Sequence, residues 1–290
     1  MSAVSSRRRK PLRVGVFASG TGGNLCAAMS LASYRPNLVT VAAMVTDRPS
    51  CRAVSIASDA GIPVISRDFR AECGRASDCR SEVERLHYAR RAEAFHDRID
   101  DRLLDLEQFS GALDLLILSY DRWIHGRLLD RFAGRMINQH PGDLTHLDGM
   151  GNRVLVGNDP VLDALKAGLP LVRTSTFFVD AGRDSGAIIC QGPVLKAAGV
   201  PAKRNCADDL EQTLKRESDW PSLVCAITLI AAGAVAIDRG RPMRDGSPGV
   251  SVCGVPLGLG GLRLMEDLSS PDSRMSQIFG DVRESLGSLR

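Results

Sequence analysis

Apolar residues in the first half of this chain fall into short runs separated by stretches of helical periodicity. Leu12 to Ala18 is a mostly apolar run of strand length, and Leu38 to Thr46, Ile62 to Ser66, Leu115 to Ser119 and Arg135 to Asn138 repeat it. Between them, Asn24 to Ser33, Arg52 to Ala60 and Gly126 to Phe132 read as helices, the second ending at Gly61. Strands and helices in this order imply a parallel sheet with right-handed crossovers. The segment from Arg70 to Asp105 is crowded with charge and helical in character. Past Pro141 the alternation lapses: Thr174 to Asp180 and Ala187 to Gln191 read as paired strands, Asp208 to Arg216 as a helix, and Val250 to Leu264 as a glycine-rich meander with Pro256 inside it. Leu223 to Ile237 is too short for a membrane span and reads as a buried helix. The fold class expected is α/β: a Rossmann-like parallel sheet flanked by helices and extended by C-terminal strands.

Two polar clusters interrupt the apolar pattern. Asn138-Gln139-His140-Pro141 closes one run, and Asp184-Ser185-Gly186 leads into another. Side chains alternate with a period of two along a strand, so Asn138 and His140 project to one side and face one reacting atom together. Acyl transfer to an amine needs such groups: donors for a developing oxyanion, and an acid or base for the proton that the nitrogen loses. Taken singly, each has a plainer reading. Asn138 caps a turn, His140 sits in the core or caps an element, and Asp184 is a turn residue.

A second candidate is the loop Gly20-Thr21-Gly22-Gly23 between the first strand and the helix that begins near Asn24. Several backbone amides at a helix N-terminus favour an anion through hydrogen bonds and dipole together. A dinucleotide fingerprint, with Asp47 as the ribose acid, fails at its third glycine, where Leu25 stands. A glycine turn with no ligand is the bland alternative.

Together the stretch from Val14 to Leu25, the Asn-x-His-Pro motif and the Asp-x-Gly motif resemble the folate-dependent formyltransferases, including those that act on glycinamide ribonucleotide. The similarity runs with gaps from Leu12 to Val224 and is strongest over the glycine loop, Leu116 to Pro141, and Ser175 to Val194. The resemblance implies that Asn138, His140 and Asp184 are catalytic, and it is their joint occurrence in the family's order that assigns them to one site. It further implies that Gly22, Gly23 and Asn24 bind the phosphate of the amine substrate. A Glu that contacts the acceptor's sugar in relatives is matched approximately by Glu217, with Arg216 at the aligned spacing. The co-substrate implied is 10-formyltetrahydrofolate, its pterin lying between Ser119 to Ile124 and Val179 to Asp184. Tyr120, Trp123, Ile124, Val179 and Asp180 are the expected contacts, mostly through backbone groups, with Trp123 as a wall. No metal is required. His140 is expected as imidazolium, with Asp184 raising its pKa. The expected domains are a disordered basic tail over 1–11, a formyltransferase-like catalytic domain over 12–240 with a helical insertion at 70–105, and a strand-rich extension and tail over 241–290.

Departures from the family matter as well. After His140-Pro141 this chain has Gly142-Asp143-Leu144-Thr145 and a loop with Gly149, Gly151 and Asn152, where relatives carry Ser-Leu-Leu-Pro and a different glycine-rich loop. That loop helps to frame the acceptor, so a related amine from a specialised pathway stands beside glycinamide ribonucleotide. Two other classes stay open: a formyltetrahydrofolate hydrolase, and a non-catalytic or redox nucleotide-binding module.

Composition narrows the partners. With 290 residues, 44% of them hydrophobic, the chain is long enough for a proper core. A net charge of +3 with scattered Arg gives no basic stripe for nucleic acid, the run Arg7-Arg8-Arg9-Lys10 reading as a solvated tail. The eight cysteines are sparse for a disulfide framework and form no Cys-x-x-Cys pair, and no apolar signal segment follows the basic start. Free thiols, a cytoplasmic location, small-molecule partners and no membrane are the expectation, with a homo-oligomer left open. His87, His96, His125 and His146 read as surface or helix residues.

Overall fold

A strand buried on both faces must send alternate side chains into two cores. In β1 (Leu12–Ala18), Val14, Val16 and Ala18 enter one apolar cluster while Phe17 enters the other. β2 (Val39–Thr46) is divided in the same way, Val39 and Met44 against Ala43 and Val45, but a register shift at Ala42 interrupts its alternation. The computed structural model describes residues 10–269 and 274–290 and places these strands in an eight-stranded sheet. β3 (Val64–Ser66) flanks β2, β4 (Leu115–Ser119) flanks β1, and β5 (Met136–His140) flanks β4, all parallel. Beyond β5 the direction reverses. β7 (Ser175–Phe178) pairs antiparallel with both β5 and β8 (Ile188–Gln191), and β13 (Leu262–Arg263) closes the edge parallel to β8. Two small sheets stand apart: β6 (Leu171–Val172) with β9 (Leu195–Lys196), and β10 (Val235–Pro242) with β11 (Pro248–Val252) and β12 (Val255–Pro256). This is the α/β architecture that the alternation predicts.

Helices cover both faces. α1 (Gly23–Tyr34), α2 (Arg52–Asp59), α8 (Trp220–Ala231) and α9 (Ser276–Leu286) contribute to the cluster that Val14 enters. α3 (Phe69–Cys73), α4 (Glu82–Ser110) and α5 (Arg127–Arg131) contribute to the cluster that Phe17 enters. α6 (Pro160–Lys166) and α7 (Arg204–Leu214) share a third cluster beside the cleft. The long α4 starts at a capping box, Ser81 with Glu84, that satisfies two otherwise orphaned amides. Ala92, Phe95, His96, Ile99, Asp100 and Leu103 form its buried stripe, at the three- and four-residue spacing of one helix face. The buried Asp100 is paired with Arg131 at 2.6 Å.

Several boundaries differ from expectation, each for a local reason. The expected helix from Leu223 to Ile237 is two elements. Gly233, at φ +66°, lets the chain turn, and the amides of Gly233 and Ala234 bond back to Ile230 and Leu229 carbonyls, capping α8 before β10 begins. Apolarity runs unbroken across that turn, so the run hides it. The charged segment from Arg70 to Asp105 divides into α3, a 3₁₀ turn and α4, which continues to Ser110. The helix expected from Asp208 to Arg216 begins at Arg204 and passes through a five-residue π turn, Lys215–Asp219, directly into α8. The boundary expected at residue 240 falls inside β10, and the strand-rich tail ends in helix α9, whose Ile278, Phe279 and Val282 are core residues. The basic segment expected before Leu12 lies, up to residue 9, outside the described residues. Among the described residues, no helix is long and apolar enough to cross a membrane.

Phe95 and Phe109 on α4 test this packing, being 0% and 91% exposed. Phe95→Ala should cost about 3–5 kcal/mol by opening a cavity, and Phe109→Ala within about 0.5 kcal/mol. Urea unfolding midpoints of the two variants measure both; equal shifts would refute the assignment of α4's buried face.

Candidate functional site

β5 ends in a cleft of about 950 Å³, and both faces of the strand contribute to it. Alternation puts Met136 in the α4-side cluster and Ile137 in the α1-side cluster. Asn138 and His140 therefore share the α4 side, while Gln139 turns to the α1 side, and all three line the cleft. Three other segments that the sequence singles out line it too, together with Gly157, Asn158 and residues between Glu211 and Trp220. The glycine loop follows β1, Ser119 to Ile124 follow β4, and Val179 to Asp184 belong to the connection between β7 and β8. Eleven of the twelve sequence-predicted residues line this one cleft: Asn138, His140, Asp184, Gly22, Gly23, Asn24, Tyr120, Trp123, Ile124, Val179 and Asp180. Glu217 does not. It is exposed on the π turn, whose extra residue turns Lys215, Arg216 and Asp219 towards the cleft instead. A smaller cavity of about 190 Å³, beside His146 and Leu169, touches none of the predicted residues.

His140 is 4% exposed, and its Nε2 lies 2.6 Å from the carbonyl oxygen of Leu155. Nδ1 faces Oδ2 of Asp184 at 3.8 Å. Burial pushes the imidazole below its ordinary value; Asp184 and the Leu155 carbonyl oppose the shift, and Arg153 and Arg183 reinforce it. Burial thus favours the neutral ring. The Asp184 charge acts in the expected direction, whereas desolvation opposes the expected imidazolium. In the neutral ring, Nε2–H donates to Leu155 and Nδ1 keeps its lone pair. A proton taken up at Nδ1 comes to lie between the ring and a carboxylate, the arrangement of a general base with an electrostatic partner.

The loop after Pro141, the segment that departs from the family pattern, holds both partners in place. Leu155 orients the ring, and the Gly157 amide donates to Asp184 Oδ2 at 3.1 Å. Asp184 itself sits at φ +49°, a conformation that Asp tolerates better than most residues. Arg153 donates to the main-chain carbonyls of Asp184 and, at 2.9 Å, of Gly186, while its Nε pairs at 2.6 Å with Asp245 of the β10–β11 turn. The two side chains are 5% and 2% exposed, so this is a buried ion pair with its donors engaged. Neither residue was singled out from the sequence. They lie far apart in the chain, and neither belongs to a motif.

At the other end of the cleft, Gly22 has φ +82° and caps α1, and a Cβ there would press on Ala53 and Ile56 of α2. The glycine is required by backbone and packing, whether or not an anion binds. Asn24 donates its side-chain amide to Gln139 Oε1 at 2.7 Å, so its side chain is already engaged. Beneath this loop, Asp47 accepts from Ser19 Oγ at 2.5 Å and from Arg122 Nε at 2.7 Å. With that carboxylate 0% exposed and doubly engaged, Asp47 is not placed to receive a ribose, which removes the structural basis of the dinucleotide reading. Asp121 donates its amide to Ser19 Oγ at 2.9 Å, and this ties the loop to the segment after β4. In that segment Tyr120 turns its ring edge-on to Phe17, Ile124 is buried, and Trp123 stays half exposed, stacked 5.9 Å from His125. Asp180 fixes the opposite loop by accepting from the Gly182 amide and from Ser185 Oγ.

Residues 12–217 match the family model described as formyl transferase. The phosphoribosylglycinamide formyltransferase of Mycobacterium tuberculosis is 29% identical over 232 residues, 78% of this chain and 88% of that protein. The chicken (Gallus gallus) trifunctional purine biosynthetic protein adenosine-3 is 26% identical over 227 residues, and the match covers 78% of this chain but only 19% of that much longer protein. Among solved structures, phosphoribosylglycinamide formyltransferase from Coxiella burnetii shares the fold with a TM-score of 0.61 at 20% identity, over 88% of this chain and 99% of its own.

The buried ion pair makes a quantitative claim. Asp245→Leu should destabilise by about 3–5 kcal/mol, because it strands the Arg153 charge. Arg153→Met should cost a comparable amount, and the double variant should cost much less than the sum of the two. Urea denaturation of the four proteins closes the cycle; strict additivity would show that the pair is not coupled.

Proposed function

Because the chain belongs to the formyl transferase family, we propose that it transfers the formyl group of 10-formyltetrahydrofolate to the amine of a phosphorylated acceptor, either glycinamide ribonucleotide or a related amine. The observation that carries this reading is the meeting of Asn138, His140 and Asp184 in one cleft, with an anion-competent helix start at one end and the folate segment at the other. Names borne by relatives that span most of their own length with this chain support the acceptor.

In this reading the acceptor's phosphate meets the amides of Gly22, Gly23 and Asn24 at the start of α1. The pterin lies between Tyr120 to Ile124 and Val179 to Asp180, bonded mainly to main-chain groups. The amine nitrogen attacks the formyl carbon, and the Asn138 amide donates to the oxygen as its charge develops. His140 Nδ1 takes the proton that the nitrogen must lose and shares it with Asp184. When the tetrahedral centre collapses, the bond to the folate nitrogen breaks and that nitrogen receives the proton, so acceptor and donor exchange one formyl group for one hydrogen. Holding Nε2–H on Leu155 keeps the accepting nitrogen turned to Asp184.

Since the free base of His140 is the active form, kcat should fall on the acid side with an apparent pKa below 6.5, the direction set by burial of the ring. Asp184→Asn removes the charge that raises this pKa, so it should move the acid limb lower still while cutting kcat by about 100-fold or more. His140→Ala should abolish the limb together with most of the turnover. A rate-versus-pH profile of the three proteins decides; an unchanged limb in either variant would remove His140 from the proton path.

Reduced folate should raise the melting temperature by binding the native state, and NAD or NADP should leave it unchanged. The same assay without an amine separates transfer from hydrolysis. Release of formate from 10-formyltetrahydrofolate at the transfer rate, with no formylated amine formed, would favour a hydrolase.

A further inference from the structure

Asp184 is held by its main chain as well as by its side chain. The side chain accepts from the Gly157 amide, while the carbonyls of Asp184 and Gly186 both receive N–H groups of Arg153, the second at 2.9 Å. Even where Asp tolerates it, a backbone at φ +49° keeps its form only when its surroundings fix it. Two donors of one planar guanidinium, set on carbonyls two residues apart, do so here. The direction in which the Asp184 carboxylate leaves the main chain, and with it the 3.8 Å approach to His140, follows from where that guanidinium lies.

What places the guanidinium is the turn between β10 and β11. Oδ2 of Asp245 takes Arg153 Nε at 2.6 Å, and Oδ1 is occupied by Ser247, whose amide and hydroxyl donate to it at 3.0 and 2.7 Å. The carboxylate is therefore oriented independently of Arg153, one oxygen serving its own turn and one the arginine. The Met243 amide closes the turn on the Ser247 carbonyl at 2.8 Å, with Gly246 at φ +80°. Its strands are anchored in turn: Val250 and Val252 are core residues, and Arg241 donates to the Val250 and Leu257 carbonyls at 3.1 and 3.0 Å. A second contact sets the distance between this turn and the loop that carries Arg153. A Cβ at Gly151 would lie 2.8 Å from the Arg244 carbonyl oxygen, so the two main chains meet there with room for no side chain. Arg153, Asp245 and Ser247 line no part of the cleft, and the last two lie beyond residue 217, where the family match ends.

We infer that Asp245 and Ser247 are positioning residues for the transfer reaction: the C-terminal hairpin, through Arg153, sets the Asp184 carboxylate against His140. Ser247 acts on Asp245, Asp245 on Arg153, and Arg153 on the turn that carries Asp184. This rests on the formyl-transfer reading and adds to it a dependence of turnover on residues outside the cleft. A hairpin that acts only on Asp184 changes the rate at which the bound complex reacts and leaves its formation alone.

The test uses the full chain with 10-formyltetrahydrofolate and glycinamide ribonucleotide. Asp245→Asn keeps the size of the side chain and removes its charge; it should lower kcat about tenfold or more, with KM for both substrates within about twofold, because a small displacement of a reacting group slows the step without weakening binding. Ser247→Ala should lower kcat about fourfold, again with KM held, and it carries the test if Asp245→Asn does not fold. The decisive comparison repeats each substitution in an Asp184→Asn background. With the carboxylate gone the hairpin has nothing left to place, so the further loss of kcat should be within about twofold. A general disturbance of the fold would cost the same factor in both backgrounds. A kcat within about twofold of the parent in the folded variants, a rise of KM in place of the fall in kcat, or equal losses with and without the Asp184 carboxylate overturns the inference and leaves formyl transfer standing. A parent protein that transfers formyl to no amine and shows no folate-induced melting shift overturns the formyl-transfer reading itself, and the inference with it.

Discussion

Once buried, a guanidinium needs acceptors for its donors, and those that Arg153 finds come from segments 31 to 92 residues away: the carbonyls of Asp184 and Gly186 and the carboxylate of Asp245. Remove that group and three loops lose their common partner. The loop after Pro141 would no longer be tied to the β7–β8 connection through Arg153, and the β10–β11 turn would retain an unpaired carboxylate. The geometry of His140 depends on this arrangement at one remove, because Leu155 and Gly157 belong to the loop that Arg153 anchors. A loop that reads as a departure from the family pattern is in this way a structural part of the candidate site.

The electrostatics follow from the same closure. The ring of His140 is buried under its own supporting loop, so the solvent that would stabilise a positive charge is excluded, and Asp184 at 3.8 Å does not fully replace it. The site is better prepared to receive a proton than to supply one. In the proposed transfer the amine nitrogen must lose a proton once it has attacked, which suits a ring whose neutral form is favoured and which is aimed at a carboxylate.

Local signals carried most of the fold and the core of the site. The two-residue alternation of β1 and β5 set which side chains enter which core, and the spacing of Asn138 and His140 was enough to put them on one side. What stayed hidden was of two kinds. Gly233 ends α8 within an unbroken apolar run, so periodicity alone could not separate a helix from a strand there. Long-range side-chain pairings, Arg153 with Asp245 and Gln139 with Asn24, have no local sequence signature at all. The π turn, in a polar stretch, is a local feature that helical periodicity does not show: Arg216, at the spacing aligned with relatives, lines the cleft, while Glu217 does not.

The last helix gives the fold a particular order of assembly. Arg35, at the end of α1, donates to the Asp281 carbonyl at 3.0 Å and to Ser285 Oγ at 3.1 Å, contacts that span 246 and 250 residues. The back of the helix whose front carries the glycine loop is therefore closed by residues synthesised much later. On the ribosome, α1 has its strand neighbours early but lacks this cover until the segment with α9 has emerged. A chain that ends before α9 leaves the apolar face that Ile278, Phe279 and Val282 cover open to water.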